Sequence, residues 1–172
     1  LGGDQLNMAL SAWTLLYQYT GDQSVIENMK YMADEYLARS LSDPGCKWPY
    51  LPYPYNTVIH SGKYDGDMRN GKGYLQPDKA GNFGYELINL YKITGEQKYL
   101  DAAVRIATVL AEKTKPGNND ESPLPFRVNA YTGDPGFFFS NTHSGQVESR
   151  AVYTANWTST LMLFQEMLKM DA

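Results

Sequence analysis

The chain repeats itself. LLYQYTGDQSVIENMKYMADEYLA, from Leu15, aligns with NLYKITGEQKYLDAAVRIATVLAE, from Asn89. Leu16, Tyr17, Thr20, Gly21, Gln23 and Ala33 return as Leu90, Tyr91, Thr94, Gly95, Gln97 and Ala107, each 74 positions on. A repeat of this kind restricts the fold to stacked copies of one supersecondary unit, because neighbouring copies must bury what a single unit leaves open.

Each copy reads as two helices and a tight turn. In the first helix Leu6, Ala9, Leu10, Trp13, Leu16 and Tyr17 mark one face, and Met8, Ala12, Leu15 and Tyr19 a second. Two apolar faces predict an inner helix covered on most sides. Thr20-Gly21 stops it, since glycine accepts the left-handed conformation, and Asp22 or Glu96 suits the positive start of the next helix. That next helix carries one stripe, Val25, Ile26, Met29, Met32, Ala33, Tyr36 and Leu37, opposite Glu27, Lys30, Asp34, Glu35 and Arg39, which predicts an outer helix with one wet face.

These patterns predict hairpins at 4–41 and 78–113 and a third inner helix within 152–170, where Asn156, Trp157, Leu161 and Phe164 follow Asn82, Phe83, Leu87 and Leu90 at the repeat interval. The expected organisation is a single α/α-hairpin domain, 1–172, whose last inner helix needs cover from further hairpins of a parent chain or from a second copy.

Charge and composition narrow the function classes. A net charge of -4, with 15 scattered Lys and Arg, gives no basic footprint for nucleic acid. No apolar run approaches the roughly 18 residues of a membrane span. Cys46 stands alone and His60 and His143 lie far apart, so neither a disulfide, a metal site nor a cofactor is expected. LGGDQLNMAL lacks signal-peptide features, and a start other than Met fits a processed or cut chain.

The aromatic content is unusual: 14 Tyr, 3 Trp and 6 Phe, many outside the helical segments. In WPYLPYPYNT the prolines exclude helix and central strand, so Trp48, Tyr50, Tyr53 and Tyr55 hang from a stiff loop. Such rings either stack on sugar faces or roof the hairpins. Both long connections, Ser42 to Pro77 and Thr114 to Arg150, lead from an outer helix to the next inner one, which puts them at one end, as binding loops.

Apolar inner helices, amphipathic outer helices, TGD and TGE turns at one end and long loops at the other resemble the α/α toroid of six-hairpin glycosidases, polysaccharide lyases and sugar epimerases. The resemblance implies an all-α fold, here an incomplete toroid, with an oligo- or polysaccharide bound at the loop face and a secreted or periplasmic setting. It also implies a catalytic carboxylate at the start of an inner helix, which points to Asp78 in LQPDKAGNF. Asp78 and its repeat equivalent Asp4 equally suit N-caps.

Glycoside hydrolysis needs a second carboxyl group, one to protonate the leaving oxygen and one to activate water or attack. Asp65 or Asp67 in KYDGDMRNGKGY is the candidate, although that segment also reads as a glycine-rich turn. A lyase would instead use a Tyr or His base, with Arg or Asn neutralising a uronate. Arg127, Asn129, His143, Arg150, Tyr153 and Asn156 are available for those roles and for substrate binding. FRVNAYTGDPGFFF predicts a short strand with a turn at YTGDPG, where Arg127 fits an outward-facing surface residue as well as a substrate contact. Several loop aspartates and no cation cluster favour hydrolase over lyase. A protein-binding scaffold of tetratricopeptide type is the remaining alternative, but those arrays repeat at about 34 residues.

Overall fold

The computed structural model describes residues 3–58, 60–139 and 147–170. Two-residue turns set its architecture. Helix α1 (Gly3–Thr20) passes through Gly21-Asp22 into α2 (Gln23–Arg39), and α3 (Pro77–Thr94) passes through Gly95-Glu96 into α4 (Gln97–Lys113). Gly21 and Gly95 have φ of 69° and 70°, a region that a Cβ disfavours. Their amides close on the carbonyls of Tyr17 and Tyr91. The hydroxyls of Thr20 and Thr94 donate to the carbonyls of Leu16 and Leu90, and accept from the amides of Asp22 and Glu96. The repeat thus extends to single hydrogen bonds, and turns this short force each pair antiparallel.

Helix α3 is central, touching α1, α2, α4 and α5 (Thr158–Met170). Its Phe83, Leu87, Ile88 and Leu90 are fully buried, as are Tyr99, Ala103 and Leu110 of α4. Each large side chain so buried contributes about 1.5–3 kcal/mol. Ion pairs Lys30–Glu96 (2.9 Å) and Lys98–Asp34 (2.8 Å) join the amphipathic helices α2 and α4, but pairs so open to water add little. The apolar stripes hold the hairpins together.

Helices α1, α3 and α5 run parallel and close to register, since Asp4 meets Lys79, Asp78 meets Asn156, and Lys92 meets Glu166. Gly81 and Gly84 allow this. A Cβ on Gly81 would stand 2.8 Å from Thr160 Cβ, and one on Gly84 2.7 Å from a Leu163 methyl, so α5 rests directly on the α3 backbone. Their cost in helix propensity is offset by close packing.

Two expectations change. The apolar pattern extends the last helix back to 152, yet α5 begins at Thr158. The preceding backbone pairs elsewhere: Phe126 N–H donates to Ala151 O (2.9 Å), Ser122 N–H to Val152 O (3.2 Å) and Thr154 N–H to Ser122 Oγ (3.0 Å). The second apolar face of α1 is also not covered, because Met8, Leu15 and Tyr19 stand exposed.

Both long loops lie at the N-terminal ends of α1, α3 and α5 and are stitched to each other. Antiparallel pairs are β1 (Gly66–Asp67) with β2 (Gly71–Lys72), β3 (Tyr74–Leu75) with β4 (Val128–Asn129), and β5 (Phe137–Phe139) with β6 (Val147–Arg150). The turn expected at YTGDPG forms, with Gly133 at φ 77° and Asn129 exchanging backbone bonds with Gly133 and Asp134. Its flanks do not continue as one hairpin: apart from a single Val128–Pro135 bridge, β4 is taken by β3 and β5 by β6.

Candidate functional site

The proline-rich loop folds back on the end of α2. Ser42 accepts the Leu51 amide at Oγ, donates that hydroxyl to Trp48 O, and donates its own N–H to Leu51 O. This closes the loop over its own side chains. Trp48 and Tyr53 are therefore buried in the core, which corrects their reading as presented sugar platforms. Tyr50, half-buried at a strained φ of 59°, turns toward Arg105 of α4, 5.9 Å away, and not toward the inner helix starts. Only Tyr55 of the four rings reaches those starts.

There it joins a charged cluster. Lys79 Nζ lies 3.0 Å from Asp4 Oδ2, donates to Tyr55 Oη at 2.8 Å, and sits 4.7 Å from the centre of that ring. Asn7 Nδ2 donates to the Lys79 carbonyl at 3.3 Å. The next residue back, Asp78, occupies the second position of α3, while Gln76 holds the cap position without a side-chain bond to the helix amides. Asp78 is thus not an N-cap. Its Oδ2 accepts from Asn156 Nδ2 at 3.2 Å, and its buried Oδ1 has no hydrogen-bond partner among the described residues.

Burial pushes the Asp78 carboxyl above its ordinary pKa of 3.8. The Lys79 charge and amide and the Asn156 amide pull it down, and the charge of Asp4 adds to the rise. A helix start favours the anion, so desolvation outweighs the dipole here. Asn7 Oδ1 and Gln76 Oε1 are likewise buried without partners among the described residues, which leaves acceptor atoms unsatisfied around the α1 and α3 starts.

Asp67 has the opposite environment. Its Oδ1 accepts from the amides of Arg69 (2.8 Å) and Asn70 (2.9 Å), and its Oδ2 from Gln76 and from Arg127 Nε at 3.0 Å. Burial pushes this carboxyl up, but those amides, the Arg127 charge and Gln76 outweigh it and hold it below 3.8. With both oxygens committed, Asp67 clamps the first long loop to the second, and its candidacy as second catalytic carboxylate fails. Asp65 similarly braces its own loop, accepting from Thr57 N and Oγ1, both at 2.9 Å.

Arg127 is spent in the same clamp. It also donates to Phe137 O and stacks on Phe126 and Phe138, so it is not free to neutralise a uronate. Asn129 Oδ1 accepts from the amides of Tyr131 and Thr132, a turn-forming role in place of a substrate contact. His143 lies outside the described residues. Tyr153 and Asn156 are exposed on the extended lead into α5, where Asn156 meets Asp78, and Arg150 is exposed in β6.

A separate open groove of about 380 Å³ runs between α2 and residues 56–64, past Tyr31, Glu35, His60 and Tyr64. None of Asp4, Asp78 or Lys79 lines it. Among the described residues, no three His, Cys, Asp or Glu side chains gather as metal ligands, and no helix is long and apolar enough to cross a membrane.

The structure therefore brings Asp4, Tyr55, Asp78, Lys79 and Asn156 together around the starts of α1 and α3. Asp4 was legible as the repeat equivalent of Asp78, although the cap reading obscured it. Lys79 carried no sequence signal, because a lysine in a first helical turn opposes the dipole and is ordinarily solvent-facing. No protein-family model matches the chain, and no curated protein sequence matches it either.

Proposed function

We propose that this chain is a partial α/α toroid of glycoside-hydrolase type, binding an oligo- or polysaccharide across the starts of α1, α3 and α5. The observation that carries the reading is Asp78: a buried carboxyl with a raised pKa and, among the described residues, an unpartnered oxygen, next to the exposed Asn156. A group so poised keeps its proton longer than other carboxylates and can deliver it to a glycosidic oxygen. Asp4, ion-paired to Lys79, takes the place of Asp65 and Asp67 as the second carboxylate, acting on water or on the anomeric carbon. Tyr55 and Tyr153 supply the ring surfaces and Asn156 a hydroxyl contact.

The lyase alternative is weaker, since Arg127 is held by Asp67. Incubation with a panel of neutral and uronate-containing glycans tests the proposal. New reducing ends from a neutral glycan, lost in Asp78→Asn, are the expected result. Unsaturated products from uronate chains would favour the lyase instead, and glycan binding without turnover a sugar-binding module. Neither binding nor turnover with any glycan would sink all three carbohydrate readings and leave the protein-binding scaffold.

A further inference from the structure

One side chain takes the place of a strand between the two long loops. Asn70 closes the turn from β1 into β2, where its own N–H donates to Asp67 Oδ1 at 2.9 Å. Its side chain then crosses to the second loop, 67 positions away in the chain, and pairs with the Phe137 backbone in both directions. Oδ1 accepts the Phe137 N–H at 2.6 Å, while Nδ2 donates to Phe137 O at 3.0 Å and to Asp67 Oδ1 at 3.3 Å. The fit is close, because a Cβ on Gly136 would stand 2.7 Å from Asn70 Oδ1.

Asn70 is also followed by glycine, in the only Asn-Gly step of the sequence. Gly71 holds φ at 87° with open space where a Cβ would lie, a conformation the turn demands and glycine accepts. A backbone nitrogen with no side chain beside it is the least hindered nucleophile for the carboxamide that precedes it. When the Gly71 N–H gives up its proton, the nitrogen can attack Asn70 Cγ: a C–N bond forms and ammonia leaves with a proton. Water then opens the cyclic imide at either carbonyl, giving aspartate or isoaspartate. No electrons are transferred and water is the co-reactant. It has access, since the turn is half-buried between exposed Arg69 and Lys72.

We infer that Asn70 is a self-modification site which the folded loops keep closed, and that its deamidation permanently releases the tie between them. Ring closure carries Oδ1 and Nδ2 around with Cγ, so it does not proceed while both atoms hold the Phe137 backbone. Local opening of the loops frees the side chain, and the reaction then records that opening. Aspartate at this position puts an acceptor oxygen where Nδ2 donated, against Phe137 O and beside the ionised Asp67. Isoaspartate also adds a carbon to the main chain of the turn. Neither product restores the pairing. The loops so released carry Tyr55, Asp67 and Arg127, and the consequence for the α1 and α3 starts holds whatever ligand they take.

Peptide mapping by mass spectrometry follows the reaction directly. In mildly alkaline buffer Asn70 should deamidate about tenfold or more slowly in the native chain than in the chain unfolded by urea, since only locally opened molecules react. Gly136→Ala pushes a methyl against Asn70 Oδ1 and should raise the native rate severalfold, with helix content unchanged by circular dichroism. Should that variant fail to fold, wild type in urea below its unfolding transition replaces it, and the rate should climb before helix content falls. Asn70→Asp, the aspartate product made by mutation, should speed protease cleavage within the two long loops about tenfold.

Equal rates in folded and unfolded chains overturn the inference, as does an Asn70 that stays intact once the chain is unfolded. A native rate that neither Gly136→Ala nor urea below the transition raises puts the protection elsewhere and overturns it too. Loop cleavage that Asn70→Asp leaves unchanged removes the release.

Discussion

Asp67 and Asp78 lie eleven positions apart in the sequence and are both buried at the loop end, 1% and 6% exposed, yet they are opposite kinds of carboxylate. Asp67 is surrounded by donors and is held ionised. Among the described residues Asp78 has one side-chain donor, Asn156, and its pKa is raised by burial. Burial alone therefore says nothing about role, because the number of hydrogen bonds that solvate the anion decides whether a carboxylate becomes structural or reactive. Asp67 spends its charge holding two loops together, and Asp78 leaves a protonatable oxygen uncommitted.

The widest test of that contrast is activity. On a glycan that the wild type cleaves, Asp78→Asn should lower kcat about 10²–10⁴-fold, the usual worth of a general acid, while leaving the fold intact. Asp67→Asn should do the reverse. It leaves Arg127 largely buried opposite a neutral group and should cost about 3–5 kcal/mol in denaturant unfolding, with activity falling only as the loops loosen.

Acidity separates the pair by sign. The folded pKa of Asp67 is depressed, so its stabilising contribution is present above its unfolded value of 3.8 and is lost as pH falls through the folded pKa. The folded pKa of Asp78 is raised, so its ionisation destabilises the protein at neutral pH and that penalty disappears on acidification. Relative to wild type, Asp78→Asn should therefore gain stability near neutrality and lose that advantage toward pH 3, as followed by urea unfolding across pH.

Two smaller perturbations sharpen the contrast at its α5 side. Gly81→Ala drives a methyl into Thr160 and should cost about 1–3 kcal/mol by thermal unfolding, as overpacking does, while moving Asn156 away from Asp78. Asn156→Ala removes the one side chain that solvates the Asp78 anion. It should cost about 0.5–1.5 kcal/mol and shift the alkaline limb of the kcat/KM profile to higher pH.

Legibility differed from residue to residue for physical reasons. Gly21 and Gly95 could be read directly, because a left-handed helix stop is a local demand that few residues meet. The stripe of Tyr99, Ala103, Ile106 and Leu110 was equally plain, since helical period and burial coincide. Trp48 and Tyr53 were not, as a proline-stiffened backbone reveals only that the loop is irregular, and Ser42 decides by hydrogen bonds to Trp48 and Leu51, for which no sequence pattern stands, which way it folds. Arg127 looked like a substrate contact because nothing in its neighbours announces the distant Asp67 as partner, whereas Asn129 is an asparagine whose turn-forming bonds to the Tyr131 and Thr132 amides are local.

The sequence by itself determined most of the helices, their turns and the pairing into hairpins, since each depends on residues within one or two helical turns of each other, and it displayed the 74-residue repeat by plain recurrence. Only the tertiary structure decided which of the aspartates is solvated and which is stranded, which aromatic rings lie inside, and which repeat positions are left without a neighbour. Those outcomes depend on solvation by groups distant in the chain, and desolvation has no local sequence pattern.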